Sequence, residues 1–278
     1  MSRTLSRRVF CFGAATLPAA VSLASQDAGK TYHWSYQARV GDTQRYRTYI
    51  RITGRQADDA EDLLIMMKSA SRHTIKQVAE DGVVTYDQSD EKAAFIVNGK
   101  PVEDAKAPTR PPVVVSINRD GLIVSRVNPS ADPFNGRYEK SIIAIQSMPT
   151  PPTPVKVGAS WVTRMANPML KNGTIDVATT LAGVQVVSGQ PALKLVSKMV
   201  FPTTFGANEA EIVHSESTYY LHAETYDLLQ ADYQIKNPAL PFPGLKVLCE
   251  VKVFRVIAGA NDAGDPDGDK LLSPPKKM

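Results

Sequence analysis

Residues 174–201 read TIDVATTLAGVQVVSGQPALKLVSKMVF, and this stretch decides the fold class. Apolar residues alternate with polar ones on both sides of a central Ser188-Gly189 pair. Alternation with a period of two is typical of a strand that has one buried face and one solvated face. Dipeptides of this kind accept the positive φ angles that tight hairpins require. The stretch therefore predicts two antiparallel strands joined by a short turn.

The same pattern recurs along most of the chain. Runs rich in Val, Ile, Thr and Tyr flank four more turn dipeptides, which are Asp81-Gly82, Asn98-Gly99, Asp120-Gly121 and Asn172-Gly173. Each of them predicts another hairpin. Upstream, a further row of alternating residues consists of Tyr46, Thr48, Ile50 and Ile52. We therefore expect a mainly β protein, with curved antiparallel sheets or a half-barrel and one or two helices.

Two stretches depart from simple alternation. Residues 137–148 predict a helix, because apolar residues recur there at helical spacing and Pro149 prevents its continuation. Residues 59–78 fit either a capped helix or a long strand, and both interpretations stay open here. The strand is favoured, since the stretch leads directly into the Asp81-Gly82 turn.

The first 24 residues predict a cleavable export signal. Three arginines precede an uncharged stretch at 9–23, and Ala24 provides a small residue for cleavage. The uncharged stretch is shorter than the roughly 20 residues that a transmembrane helix needs. Residues 6–10 (SRRVF) also resemble the twin-arginine export signal. We therefore expect an exported bacterial protein, periplasmic or extracellular, and the general export route remains an alternative.

A proline-rich run suggests how the rest of the chain is organised. Residues 149–154 (PTPPTP) predict a stiff connector between an N-terminal β-rich half, 28–148, and a C-terminal β-rich half, 155–258. Both halves begin near a Val-Gly pair, a likeness that is compatible with a duplication and too short to establish one. Residues 259–278 are poor in apolar side chains and predict a flexible tail.

The charge balance of the chain argues against some classes of binding partner. The chain has 32 basic and 28 acidic residues, a net charge of +4. Arginines 3, 7 and 8 belong to the predicted leader, which has no acid, so 29 basic and 28 acidic residues remain. A nearly neutral body has no long-range field that attracts nucleic acid or anionic lipid. We expect no nucleic-acid partner, and no membrane anchor after leader cleavage.

Four short motifs point to a class of proteins. They are Gly41-Asp42 before Tyr46, residues 155–158 (VKVG) before Trp161, Ser188-Gly189-Gln190, and residues 219–225 (YYLHAET) before Leu228. Together they resemble exported bacterial proteins that are similar in plan to the periplasmic lipoprotein carriers. The resemblance implies a strongly curved antiparallel sheet wrapped around a helix and an exported location, and it implies no activity. The chain departs from that pattern at Tyr226, where such proteins usually have glycine.

His214 and Glu216 are the sharpest candidates for chemistry. Residues two apart on a strand share a face at a spacing of about 6.7 Å, which suits a metal site or an acid–base pair. His73 is a further candidate because it falls on an apolar face. However, His214 and Glu216 alternate with apolar residues and are therefore predicted to face water, and no third zinc ligand is marked. We predict no catalytic residue, no metal site and no cofactor.

Other chemically suggestive residues have simpler interpretations. His222 and Glu224 repeat the same spacing, but they fall in a predicted turn. Cys249 is the last cysteine once the leader is removed, and its alternating context places the thiol on a buried face, where cysteine acts as a small hydrophobe. The tail aspartates lack the glycine and glutamate of a calcium-binding loop. These tail residues are Asp262, Asp265, Asp267 and Asp269.

A basic stripe runs along the first predicted strand. It consists of Arg39, Arg45, Arg47, Arg51 and Arg55. Such a stripe suits an anionic envelope polymer, but similar rows more often pair with acids on a neighbouring strand.

Three functions follow from these observations. The favoured one is a non-enzymatic binding or carrier-like module for an apolar ligand or an envelope component, because sheet is abundant and few polar groups are placed for a reaction. The second is a metal-dependent or other hydrolase that uses His214, Glu216 and His73. The third is a structural or interaction subunit that uses exposed sheet edges.

Overall fold

The computed structural model describes residues 29–36, 38–55, 63–102, 111–129, 136–204, 206, 208–238, 246–256 and 270–272. The predicted leader, 1–24, lies outside the described residues. So does the predicted tail, 259–278, apart from residues 270–272, and its four aspartates are among the residues outside.

Most of the described chain forms strands. In chain order the elements are β1 (Thr43–Arg55), β2 (Leu63–Val78), β3 (Val84–Val97), β4 (Lys100–Pro101), β5 (Val113–Ile117), β6 (Ile123–Val127), α1 (Gly136–Gln146), β7 (Ser160–Ala166), β8 (Thr174–Val187), β9 (Gln190–Pro202), β10 (Ile212–His222), β11 (Leu228–Lys236) and β12 (Lys246–Arg255). A short 3-10 helix, Glu209–Glu211, precedes β10. The mainly β fold class is confirmed.

Within the described residues, the twelve strands form a single open antiparallel sheet. Its order is β6-β5-β3-β2-β1-β12-β11-β10-β9-β8-β7, and the short β4 pairs with β3 beside this path. Strands β1 and β12 meet in the middle of the sheet, in register from Tyr46 opposite Arg255 to Arg55 opposite Lys246. Strands from both predicted halves of the chain therefore belong to one continuous sheet.

The predicted turns and the favoured strand at 59–78 are confirmed. All five turn dipeptides join antiparallel strands. Ser188 and Gly189 have φ angles of 49° and 77°, as a tight two-residue hairpin requires. The ambiguous stretch forms β2 from Leu63 onward, and residues 59–62 lie outside the described part.

The helix α1 ends two residues earlier than predicted. Beyond its last residue, the Met148 amide donates to the Gly121 carbonyl at 2.9 Å, and the Thr150 amide donates to the Asp120 carbonyl at 2.9 Å. These bonds tie the chain to the β5–β6 turn, so tertiary contacts replace the last helical hydrogen bonds. No described helix has the length and apolarity needed to cross a membrane.

One face of the sheet, which we call the inner face, carries the main core. Its side chains on β7 to β12 pack with Tyr32, Trp34 and the α1 residues Ala144 and Ile145. Tyr32 is held by two backbone hydrogen bonds to Val155, of 2.7 and 2.8 Å. The helix and this N-terminal segment therefore pack against the inner face of β7 to β11. They also reach a second cluster, formed by β2, β3, β5 and β6, against which Ile143 and Tyr36 pack.

Candidate functional site

The register of β12, β1, β2 and β3 arranges their inner-face side chains in rows. Directly opposed residues of antiparallel strands point to the same face, so the pairing defines each row. From β12 to β3 the rows are Cys249–Ile52–Ile65–Val97, Val251–Ile50–Met67–Phe95, Val253–Thr48–Ser69–Ala93, Arg255–Tyr46–Ser71–Asp90 and, without a β12 member, Gln44–His73–Gln88. We call these rows the graded face.

The graded face changes from apolar to polar along the strands. Its first two rows are entirely apolar, the third has small side chains, and the last two carry hydrogen-bonding groups. Neighbouring rows lie about 6.7 Å apart, so this change extends over roughly 27 Å. The graded face therefore has one apolar end and one polar end.

The apolar end is less covered than the core on the same face of the sheet. Met67 and Phe95 are partly exposed, whereas Leu193 and Leu195 on β9 are completely buried. Ile50 and Val251 are also partly exposed, although they pack against the edge of the main core. Apolar area that remains in contact with water favours binding of an apolar partner.

The polar end is organised around His73. Its ring centroid lies 4.7 Å from that of Tyr46 and 4.9 Å from that of Tyr86, and the stack on Tyr86 is nearly parallel, at 17°. Burial, with a further contribution from Arg126, lowers the pKa of His73 from 6.5 to about 4. Burial also raises the pKa values of Tyr46 and Tyr86. All three side chains are therefore neutral near pH 7.

The charges around this end compensate one another. Arg255 Nη1 lies 2.8 Å from Asp227 Oδ2, and Gln44 Nε2 donates to Asp227 Oδ1 at 3.4 Å. Arg126 Nε donates to the α1 residue Glu139 at 2.8 Å. Because each arginine faces a carboxylate, the surroundings of His73 carry paired charges rather than an open cationic site.

The second apolar row continues across the rest of the sheet and becomes polar. Beyond Val251 the register passes through Tyr233, Ser217, Ser197 and Thr179 to Trp161. Thr179 Oγ1 and Ser197 Oγ are 2.8 Å apart, and both residues are buried. This part of the row is buried in the core.

An aromatic cluster closes the β7 end of this row. Trp34 lies 6.0 Å from Trp161, edge to face, and stacks on Tyr226 at 5.7 Å between ring centroids. Tyr226 has a φ of 58°, a left-handed conformation at the position where the resembling proteins usually have glycine. Among the described side chains, the buried indole nitrogens of Trp34 and Trp161 have no hydrogen-bond partner.

The three candidate residues for chemistry do not come together. His214 and Glu216 are exposed on the outer face of β10, where Glu216 lies 3.1 Å from Lys198 Nζ. His73 lies on the inner face of β2, four strands away, which corresponds to about 19 Å perpendicular to the strands. Within the described residues, no group of three or more His, Cys, Asp or Glu side chains is arranged to hold a metal.

His222 and Cys249 have structural roles. His222 Nδ1 accepts hydrogen bonds from the amides of Glu224 and Thr225, at 3.3 and 3.2 Å, and so stabilises the β10–β11 turn. Cys249 is buried on the inner face, as predicted, and burial raises the pKa of its thiol to about 12. A thiol in this state is a poor nucleophile.

Arg45, Arg47 and Arg51 of the basic stripe lie on the outer face of β1, and two of them pair with acids on other strands. Arg45 lies 3.2 Å from Glu91 of β3, and Arg51 Nε donates to Glu250 of β12 at 2.8 Å. Because β12 is next to β1, the expected pairing with a neighbouring strand is confirmed for Arg51, whereas the Glu91 partner of Arg45 lies two strands away, beyond β2. The Arg39 amide donates to the Asp42 carboxylate at 3.1 Å, and the Arg55 side chain lies outside the described part.

Sequence reasoning identified His73 and Tyr46 separately but missed their association with Tyr86 and Gln88. A bulge between β2 and β3 shifts the pairing, so that Ala70 opposes Lys92 while Ser71 opposes Asp90. This shift brings the even-numbered residues of β3 to the inner face beyond the bulge. The sequence shows that Tyr86 and Gln88 are two residues apart and can share a face of a strand. It does not show which residues of the next strand lie beside them.

Comparisons with known proteins identify no family. No protein-family model and no curated protein matches the chain. The chain is similar to a solved structure from Bacteroides fragilis, described as exported with a YmcC-like fold, at 12% identity over 79% of this chain and 98% of that one, with a TM-score of 0.30. It is also similar to a DUF1329 family protein from Desulfovibrio piger at 9% identity, over 80% of this chain and 89% of that one, with a TM-score of 0.17.

Proposed function

We propose that this protein is an exported, non-enzymatic binding module that carries an apolar ligand or the apolar part of an envelope component on its graded face. One observation carries the proposal: apart from the buried Cys249, the two apolar rows across β12, β1, β2 and β3 remain partly exposed on the same face of the sheet that elsewhere forms the core. Covering apolar area is favourable by about 25 cal/mol per Å². A ligand chain lying on these rows would continue the core.

The proposed location rests on the leader. Its arginines, its short uncharged stretch and Ala24 support cleavage and release into the periplasm or the medium. In either location a carrier works in water, where no bilayer holds the ligand. The nearly neutral body supports a ligand bound through apolar contact rather than through net charge.

The test is binding of an apolar probe by the mature protein. We expect the purified wild-type protein to raise the fluorescence of an environment-sensitive apolar dye, and native mass spectrometry to detect co-purified lipid. Met67→Asp places a carboxylate in the centre of the second apolar row and should reduce dye binding at least tenfold. Val200→Asp is the matched control, because Val200 is 56% exposed on the outer face of β9 and its replacement leaves the graded face intact.

Two results would contradict the proposal. One is a wild-type protein that neither binds the dye nor carries lipid after extraction from its own compartment. The other is a Met67→Asp variant that folds, as judged by circular dichroism, and binds the dye as well as the Val200→Asp control does.

A second candidate function is a subunit that docks through the edges of the sheet. The two ends of the strand order, β6 and β7, carry exposed valines, of which Val124 is 55% and Val162 is 62% exposed. Edge strands present unpaired backbone groups to another chain. Cross-linking in intact cells tests this candidate, and we expect Val162→Lys to remove any β7-dependent product. The hydrolase alternative has no arrangement of His214, Glu216 and His73 in its favour.

A further inference from the structure

We propose that the graded face binds an amphiphile in one orientation, with its alkyl chain on the apolar rows and an uncharged, hydroxyl-bearing head group at the His73 end. This inference rests on the proposed function and specifies its ligand class. The chemical class is that of monoacylglycerols and alkyl glycosides rather than fatty acids or phospholipids.

The orientation follows from the sequence of side chains along each strand. On β2 the inner-face residues pass from Ile65 and Met67 through Ser69 and Ser71 to His73. Both neighbouring strands make the same change, since β1 passes from Ile52 to Gln44 and β3 from Val97 to Gln88. On three adjacent strands the inner-face side chains therefore become polar toward the same end.

The small third row supports a junction between chain and head. Thr48, Ser69 and Ala93 lie side by side between the apolar and the polar rows. Their side chains are short, and two of them bear hydroxyl groups. An ester or ether linkage beside this row would find hydrogen-bond donors without large side chains in its way.

The head-group class follows from the charges. His73 offers neutral ring nitrogens beside the buried, neutral rings of Tyr46 and Tyr86. The Tyr46 hydroxyl donates to Gln44, and the amide oxygen of Gln88 accepts from Arg126 Nη1 at 3.3 Å. The neighbouring arginines are engaged by Asp227 and Glu139, so binding an anionic head would require breaking an ion pair. Asp90, which ends the fourth row, is exposed and would repel a phosphate or a carboxylate.

His73 is suited to direct recognition. Its only hydrogen bond to a described residue is a long one, with 3.4 Å between its Nε2 and Ser71 Oγ. The imidazole is partly exposed, and in its neutral state it has one donor and one acceptor. A hydroxyl group can pair with either nitrogen, because it both donates and accepts.

The experiment compares two ligands with the same alkyl chain, a monoacylglycerol and the corresponding fatty acid, by displacement of the apolar dye. We expect the wild-type protein to prefer the monoacylglycerol. His73→Phe keeps an aromatic ring between Tyr46 and Tyr86 but removes both nitrogens, so it should weaken monoacylglycerol binding about tenfold and reduce the preference over the fatty acid by the same factor. His214→Phe, the same substitution on the exposed outer face, should change neither.

The outcomes separate the two proposals. Equal binding of both ligands, a preference for the fatty acid, or a His73→Phe variant that binds monoacylglycerol as wild type does would overturn the head-group inference while the carrier function stands. Failure of the wild-type protein to bind the dye and both ligands would overturn the carrier function as well.

Discussion

His73 stacks on Tyr86, with 4.9 Å between their ring centroids and 17° between their planes. The stack joins β2 to β3 at the polar end of the graded face, beyond the bulge that sets their register. Because burial disfavours the imidazolium ion, this contact also links the stability of the fold to pH.

We expect the protein to lose stability as the pH falls from about 6.5 to about 4. Burial lowers the pKa of His73 to about 4 in the folded state, so over this interval the unfolded chain binds a proton that the folded protein does not. The loss is absent above the unfolded pKa and complete below the folded one. Its size is on the order of 1–3 kcal/mol, since the ring is partly exposed. Urea unfolding of wild type and His73→Phe over this pH range measures it, and identical pH profiles would contradict the prediction.

The turn before β6 should be far less tolerant of substitution than the turn before β9. Gly121 and Gly189 have similar φ angles, 76° and 77°, so alanine brings similar backbone strain to both. A Cβ at Gly121 would lie 2.0 Å from the Met148 carbonyl oxygen, whereas nothing lies within 4 Å at Gly189. We expect Gly189→Ala to cost about 1 kcal/mol and Gly121→Ala at least about 3 kcal/mol. Equal losses in thermal unfolding would show that the α1 end does not approach this turn.

The buried hydroxyl pair of the core should contribute measurably to stability. Ser197→Ala leaves Thr179 Oγ1 without the 2.8 Å partner that it has in the core, and a buried unsatisfied hydroxyl costs about 1–3 kcal/mol. The exposed pair Ser160 and Thr180, 2.7 Å apart, provides the control, since water replaces the lost partner there. We expect Ser160→Ala to change the free energy of unfolding by less than about 0.5 kcal/mol. Similar values for both variants in urea unfolding would contradict this.

Two ion pairs on the outer face should differ in strength. Glu250 and Arg51 are about one-fifth exposed, whereas Glu216 and Lys198 are more than half exposed. Glu250→Gln should cost about 1–3 kcal/mol, because it leaves a partly desolvated guanidinium without its carboxylate. Glu216→Gln should cost less than about 1 kcal/mol. A larger loss of stability for Glu216→Gln in chemical unfolding would show that the outer face of β10 is not solvated as described.

Export of the protein should require the paired arginines of the leader. If the resemblance of residues 6–10 to the twin-arginine signal is functional, replacing Arg7 and Arg8 with lysine retains the charge but prevents export by that route. We expect the uncleaved precursor to accumulate inside the cell, as measured by fractionation and mass spectrometry. Normal cleavage of the double variant would instead indicate the general export route.

Local patterns in the sequence determined the elements of this fold. Alternation and turn dipeptides predicted the hairpins, the long strand at 59–78 and the buried side of Cys249, because strand geometry turns side chains to opposite faces at each residue. The same rule placed His214 and Glu216 toward water. These inferences depend only on residues close together in the chain.

Tertiary structure alone decided how the elements combine. The pairing of β1 with β12 makes one sheet of the two predicted halves, and the bulge opposite Ala70 and Ser71 brings Tyr86 and Gln88 beside His73. Such pairings join residues far apart in the chain. Alternation by itself fits several registers equally well, so the sequence does not select one of them. The graded face depends on that register, because each of its rows is made of side chains from three or four paired strands.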